Sequence, residues 1–150
     1  MIKKMISGFA ITVALVLGFS QMAQAAGGST HRLLLQVNDS DPKRINLALN
    51  NASNVAQYYI AQGEEVAIEV VAYGPGVSMF IEGQSTVANR VKTISENFEN
   101  ISFKYCNNTY SKMSKKAGKD LPLLPQATKV AAGVVHMMQR QEEGWSYIRP

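Results

Sequence analysis

The chain has 150 residues, 46% of them hydrophobic, 17% charged and one a cysteine, so it can bury a core but cannot close an internal disulfide. Its formal net charge is +4, from 15 basic against 11 acidic side chains, yet two of the lysines fall in the first 25 residues, which hold no acid. The remainder carries only +2, and no Lys/Arg cluster interleaves with aromatics, which excludes a nucleic-acid face despite a pI near 9.2.

Lys3 and Lys4, an apolar run from Ile6 to Phe19, and Ala23-Gln24-Ala25 have the order of a secretory signal, with cleavage expected after Ala25. The run is shorter than the roughly 20 residues a membrane-spanning helix needs. Membrane contact is therefore expected only through the signal during export, with an uncleaved N-terminal anchor as the alternative. The expected destination is the bacterial periplasm, and residues 26–150 are expected to form one domain.

The domain begins with a short apolar run, His31 to Val37, that reads as a buried strand closed by turn and capping residues. Asp41 can cap a helix with Pro42 at its first position. Ile45, Ala48, Leu49, Ala52, Ala56 and Tyr59 recur at helical spacing as far as the stop at Gly63. Glu65 to Tyr73 reads as a second strand, ended by a sharp loop at Gly74-Pro75-Gly76. Val87, Val91, Ile94 and Phe98 mark a second helix, and Ile101 to Cys106 a third strand. A polar helix then runs to about Lys116, followed by an ordered surface loop over residues 118–126. A strand over Ala127 to Ala132, a helix from about Gly133 to Glu143 and a short strand over Trp145 to Pro150 complete the chain.

Strands joined by helices of this length favour right-handed crossovers and a parallel sheet covered on both faces, so the expected class is α/β, three-layered. In open sheets of this kind chemistry collects at the carboxyl ends of the strands. Asn38, Asp39, Tyr73, Gly74, Cys106, Asn107, Asn108, Thr109 and Gly133 are therefore expected along one edge. Cys106 stands at a strand-to-helix junction, where unpaired N–H groups and the helix dipole stabilise an anion, and Lys104 and Lys112 add positive charge if they point inward. The opposing reading is a buried, inert thiol filling a gap, with Asn or Thr side chains capping the helix. Both readings stand on the residues alone.

Other chemistries find less support. His31 and His136 are the only histidines and have no metal-ligand spacing, which disfavours zinc. A Cys106–His136 pair is open, although His136 lies a turn inside its helix, which favours a packed or surface role. Gly74-Pro75-Gly76 matches no phosphate-cradle pattern, and Glu142 and Glu143, adjacent on a helix, point in different directions. Trp145, Tyr147 and Ile148 suit an edge strand packed on its own helix or a clamp on a neighbouring subunit.

The succession "LLLQVN", "VAIEVVAYGPG", "FKYCNNT" and the tail "WSYIRP" resembles the DsrE/DsrF-like family over about His31 to Pro150. The most specific pieces are the Cys106, Asn108, Thr109 turn and the tail Gly144, Tyr147, Ile148, Arg149, Pro150. The resemblance implies a five-stranded parallel α/β/α sandwich, assembly into homo-oligomers, and sulfur trafficking in which Cys106 accepts sulfur as a persulfide and exchanges it with a donor or acceptor protein. It implies no cofactor and no metal. Members that carry sulfur are cytoplasmic and continue past the cysteine with small apolar residues, whereas this chain has an export signal and an Asn-Asn-Thr turn. A non-enzymatic oligomeric module that binds a small ligand, with a structural cysteine, is the competing expectation.

Overall fold

The computed structural model describes residues 31–150; the expected signal, its cleavage after Ala25 and residues 26–29 lie outside the described residues. Strand β1 spans His31–Val37 and leads through Asp41 into helix α1, Pro42–Gln62. The Asp41 carboxylate accepts from the Lys43 N–H at 2.9 Å, Pro42 occupies the first turn, and Gly63 closes the helix, as the sequence predicts. Strand β2 spans Val66–Ala72, one residue shorter at each end than the apolar run, and α2 spans Ala88–Asn97. Strand β3 is Ile101–Cys106, α3 Asn107–Ala117, β4 Ala127–Val130, α4 Gly133–Glu142 and β5 Ser146–Ile148.

The five strands form one sheet in the order β4-β3-β2-β1-β5, and every pairing is parallel. Side-chain alternation divides its two faces. Leu33, Leu35 and Val37 of β1, Ile68, Val70 and Ala72 of β2, and Ile101 and Phe103 of β3 meet Ile45, Leu49, Ala52, Val91 and Ile94 of α1 and α2 in the main core. Leu34 and Val71 face the other way and meet Met137 of α4, with Tyr73 and Trp145 beside them. Helices lie on both faces of a parallel sheet, so the architecture is the expected three-layer α/β one.

Gly74–Phe80 is not a simple sharp loop. It is a 3-10 helix that buries Val77, Met79 and Phe80. Phe80 packs edge-on to Phe103 with ring centroids 5.8 Å apart, so this segment supplies core. Gly76 permits it, because a Cβ there would sit 2.2 Å from the Val37 carbonyl oxygen. Residues 118–126 likewise do more than cross the surface. The Glu82 N–H donates to the Pro122 carbonyl at 2.8 Å, the Leu124 N–H to the Phe80 carbonyl at 2.8 Å, and Leu121 is buried against Val77 and Ile81.

Candidate functional site

Cys106 ends β3 and stands as the N-cap position of α3, so the first N–H groups of that helix turn toward its side chain. By strand alternation the side chain falls on the α4 face of the sheet. There the first residue of α4, Gly133, approaches so closely that an added Cβ would lie 3.2 Å from the Cys106 Cβ and 3.1 Å from the Tyr73 Cβ. A glycine lets the α4 backbone settle there without displacing either side chain. Two helix N-termini therefore converge on one thiol, and their dipoles act in the same sense.

Burial, with Cys106 only 6% exposed, pushes the thiol's pKa up. Four donors more than offset it: the Gly133 N–H, the Thr109 hydroxyl, and the N–H groups of Thr109 and Asn108, so the thiol ionises below its ordinary value. These are soft contacts to sulfur; Cys106 makes no regular N-cap bond. Thr109 is itself oriented, because its hydroxyl oxygen accepts the Gly74 N–H at 3.1 Å and its one proton is left for the sulfur. The Asn108 N–H is shared, since it also donates to the Ala131 carbonyl just past β4 at 3.3 Å, which ties the start of α3 to that strand and makes it the weakest of the four donors.

The positive field predicted from lysines is not what lowers this pKa. Lys104 donates to the Thr128 hydroxyl at 3.0 Å, Lys112 is exposed, and neither contributes to the shift. Backbone amides do the work instead, which residue charges alone do not reveal. The side-chain cap proposed for α3 is replaced in the same way, since the Thr109 hydroxyl links Gly74 to Cys106.

Of the residues expected along the edge, Tyr73, Gly74, Asn108, Thr109 and Gly133 gather around Cys106, and Asn107 opens α3 beside it. Asn38 and Asp39 share the edge but follow β1, two strands away, or about 10 Å. They line a crevice of about 10 Å³ with Arg44 and Pro150, too small for more than a water. Asp39 accepts the Asp41 N–H at 2.8 Å and faces Arg44 at 3.5 Å, which makes it a turn residue. The strand order reverses there, between β1 and β5, so the thiol does not occupy the topological switch point.

His136 does not pair with the cysteine. Its Nε2 bonds Glu69 Oε2 at 2.5 Å, while Arg140 reaches Glu69 Oε1 at 3.1 Å and Glu143 at 2.7 Å and lies over the Trp145 ring at 5.1 Å. Glu69 is buried in the middle of β2, at 5% exposure, inside a run of valines that reads as plain sheet interior. The inward spacing of His136 and Arg140 on α4 is the sequence signal that could have found it. His31 stacks on Tyr59 at 3.8 Å and bonds Glu64 at 2.8 Å, at the opposite end of the sheet.

No family model and no curated protein matches the sequence. Solved structures do. The ychN protein of E. coli is 12% identical, covers 81% of this chain and 100% of its own, and superposes with a TM-score of 0.58, a likeness of fold. MTH1491 of Methanobacterium thermoautotrophicum, a protein of unknown function, is 32% identical, covers 80% of this chain and 99% of its own, and superposes with a TM-score of 0.65. With that identity extending over essentially the whole of the other protein, the chain belongs to the same family as MTH1491.

Proposed function

We propose that this protein is an exported, DsrE-like sulfur carrier that holds sulfane sulfur on Cys106 as a persulfide. The observation that carries the reading is the convergence of the α3 and α4 N-termini on Cys106, with the oriented Thr109 hydroxyl beside it, an arrangement that favours an anion on the sulfur without a neighbouring base. The resemblance of the Cys106-Asn107-Asn108-Thr109 turn to the DsrE/DsrF-like family, and the fold shared with ychN and MTH1491, support it. The signal-like N-terminus supports a periplasmic setting.

The transfer balances without an oxidant. The Cys106 thiolate attacks the outer sulfur of a donor persulfide, a new S–S bond forms, the donor's S–S bond breaks, and the donor leaves as a thiolate. The bound persulfide ionises more readily than a thiol. Delivery reverses these steps on an acceptor thiol. The apolar outer side of α4 beside the site, with Val134, Val135 and Met138 about half exposed, supports self-association into a homo-oligomer.

The burial of Cys106 favours a second reading, an inert cysteine in a ligand-binding module. Intact-mass measurement after incubation with a persulfide donor separates the two. The carrier gains one sulfur on the wild type and none on Cys106→Ser. A native wild type that stays unmodified, and whose thiol a reagent labels only after unfolding, sinks the carrier reading.

A further inference from the structure

Helix α4 supplies the Gly133 N–H to the Cys106 sulfur, yet apolar packing secures that helix poorly. Met137 is its only side chain larger than glycine that is buried, whereas α1 buries five residues and α2 two. Val134, Val135 and Met138 face outward. What grips the helix is Glu69, a fully engaged carboxylate beneath it. Oε2 accepts from His136 at 2.5 Å and from Arg140 Nε at 3.4 Å, and Oε1 accepts from Arg140 Nη2 at 3.1 Å.

These partners stand one and two turns beyond Gly133, so the cluster sets both the height of α4 over the sheet and its rotation. Gly133 lies close over the site, since a Cβ added there would stand 3.1 Å from the Tyr73 Cβ and 3.2 Å from the Cys106 Cβ, so a shift of α4 is felt at the sulfur. The far end of the helix is tethered as well, through Arg140 to Glu143 and over Trp145, and through Arg32 Nη1 to the Glu143 carbonyl at 3.2 Å.

We infer that Glu69 is a positioning residue for the Cys106 site: by holding His136 and Arg140 it seats the α4 N-terminus on the sulfur. This rests on the reading of Cys106 as a thiolate-forming carrier. Of the other titratable groups, Tyr73 meets Cys106 across Gly133, Lys104 stands two residues before it on β3, and His136 lies one turn beyond Gly133 on α4. Lys104 is bonded to Thr128 and His136 to Glu69, so loosening Glu69 changes the site chiefly by moving Gly133.

Because Cys106 is the sole cysteine, the ultraviolet absorbance of its thiolate can be titrated with Cys106→Ser as the blank. Glu69→Gln keeps shape and removes charge, and is expected to leave about threefold less thiolate at neutral pH and to slow sulfur uptake in proportion. Arg140→Met, at a partly exposed position, is expected to act in the same direction with the Glu69–His136 bond intact, and Arg140→Lys to restore part of the loss. It keeps the inference testable if Glu69→Gln loses its fold. A folded Glu69→Gln or Arg140→Met protein with the wild-type titration overturns the role of Glu69. A wild type that titrates like an ordinary thiol overturns the thiolate reading itself.

Discussion

Thr109 has one hydroxyl proton, and Gly74 decides where it goes. The Gly74 N–H occupies a lone pair of the oxygen at 3.1 Å, and the proton is left to the Cys106 sulfur. Replacing Thr109 with valine keeps the shape and removes both bonds. Thr109→Val is expected to raise the thiol pKa and to cost about 1–3 kcal/mol for the stranded Gly74 N–H. Thr109→Ser is expected to preserve both quantities, as read by thiol titration and urea unfolding.

The thiol also links folding to pH. Burial raises its pKa and the donors lower it further, so the folded value lies below the unfolded one of about 8.5. Below the folded pKa both states keep the proton, and the group adds nothing. Its contribution grows as pH rises through the folded pKa and is complete above the unfolded one. The stability difference between wild type and Cys106→Ser is therefore expected to widen in favour of wild type from neutral pH to about pH 9. A difference that stays flat in urea titrations across that range would show that the donors do not favour the thiolate.

At the scale of elements, the contrast is between helices held by core and one held by charge. The five buried residues of α1, Ile45, Ala48, Leu49, Ala52 and Ala56, recur at three- and four-residue spacing, and the sequence shows them at once. Helix α4 has no such stripe, and its anchor is a glutamate in a strand. Amide exchange in α4 is accordingly expected to be faster than in α1, by a local opening that does not unfold the sheet. Equal protection of the two helices would contradict this.

The 3-10 helix Gly74–Phe80 is another element that pattern reading misses, because seven residues show neither a helical nor a strand period. Its position depends on Gly76 lying against β1. Gly76→Ala puts a Cβ 2.2 Å from the Val37 carbonyl oxygen, and backbone cannot yield as a side-chain end would. A loss of about 3 kcal/mol or more is expected in urea unfolding, together with a displaced Gly74 and a weaker hold on Thr109.

For the whole molecule, sheet order decides what is edge and what is interior. The β4-to-β5 connection passes behind the sheet through α4, so that β5 pairs only with β1 and the chain ends on an open edge. The other edge, β4, carries exposed Thr128 and Lys129, which discourage pairing with another sheet. Tyr147 and Ile148 are 40% and 45% exposed, although the Tyr147 hydroxyl donates to Gln36. Tyr147 lies on the α4 face with the exposed Val134, Val135 and Met138, whereas Ile148, paired with Leu35, turns to the α1 face beside Tyr58. If copies associate through α4, a Val135→Lys, Met138→Lys double variant is expected to sediment as a monomer with its fold intact. A wild type that sediments as a monomer at high concentration would remove the homo-oligomer from the reading.

What the sequence determined by itself is the succession of elements and the place of the cysteine. Caps, periodicity and breakers are local, so β1, β3 and α1 could be bounded to the residue, and Cys106 necessarily fell at a strand-to-helix junction. The parallel sheet followed from helices long enough to cross over. What surrounds the sulfur was decided only in three dimensions. The Gly133 N–H comes from 27 positions along the chain, Gly74 from 32, and Glu69 acts through a helix it meets only after folding. Backbone N–H groups carry no mark in the sequence, since every residue but proline has one. Lysines, which are visible, were therefore the expected source of the field, and amides brought together by the fold are the actual one.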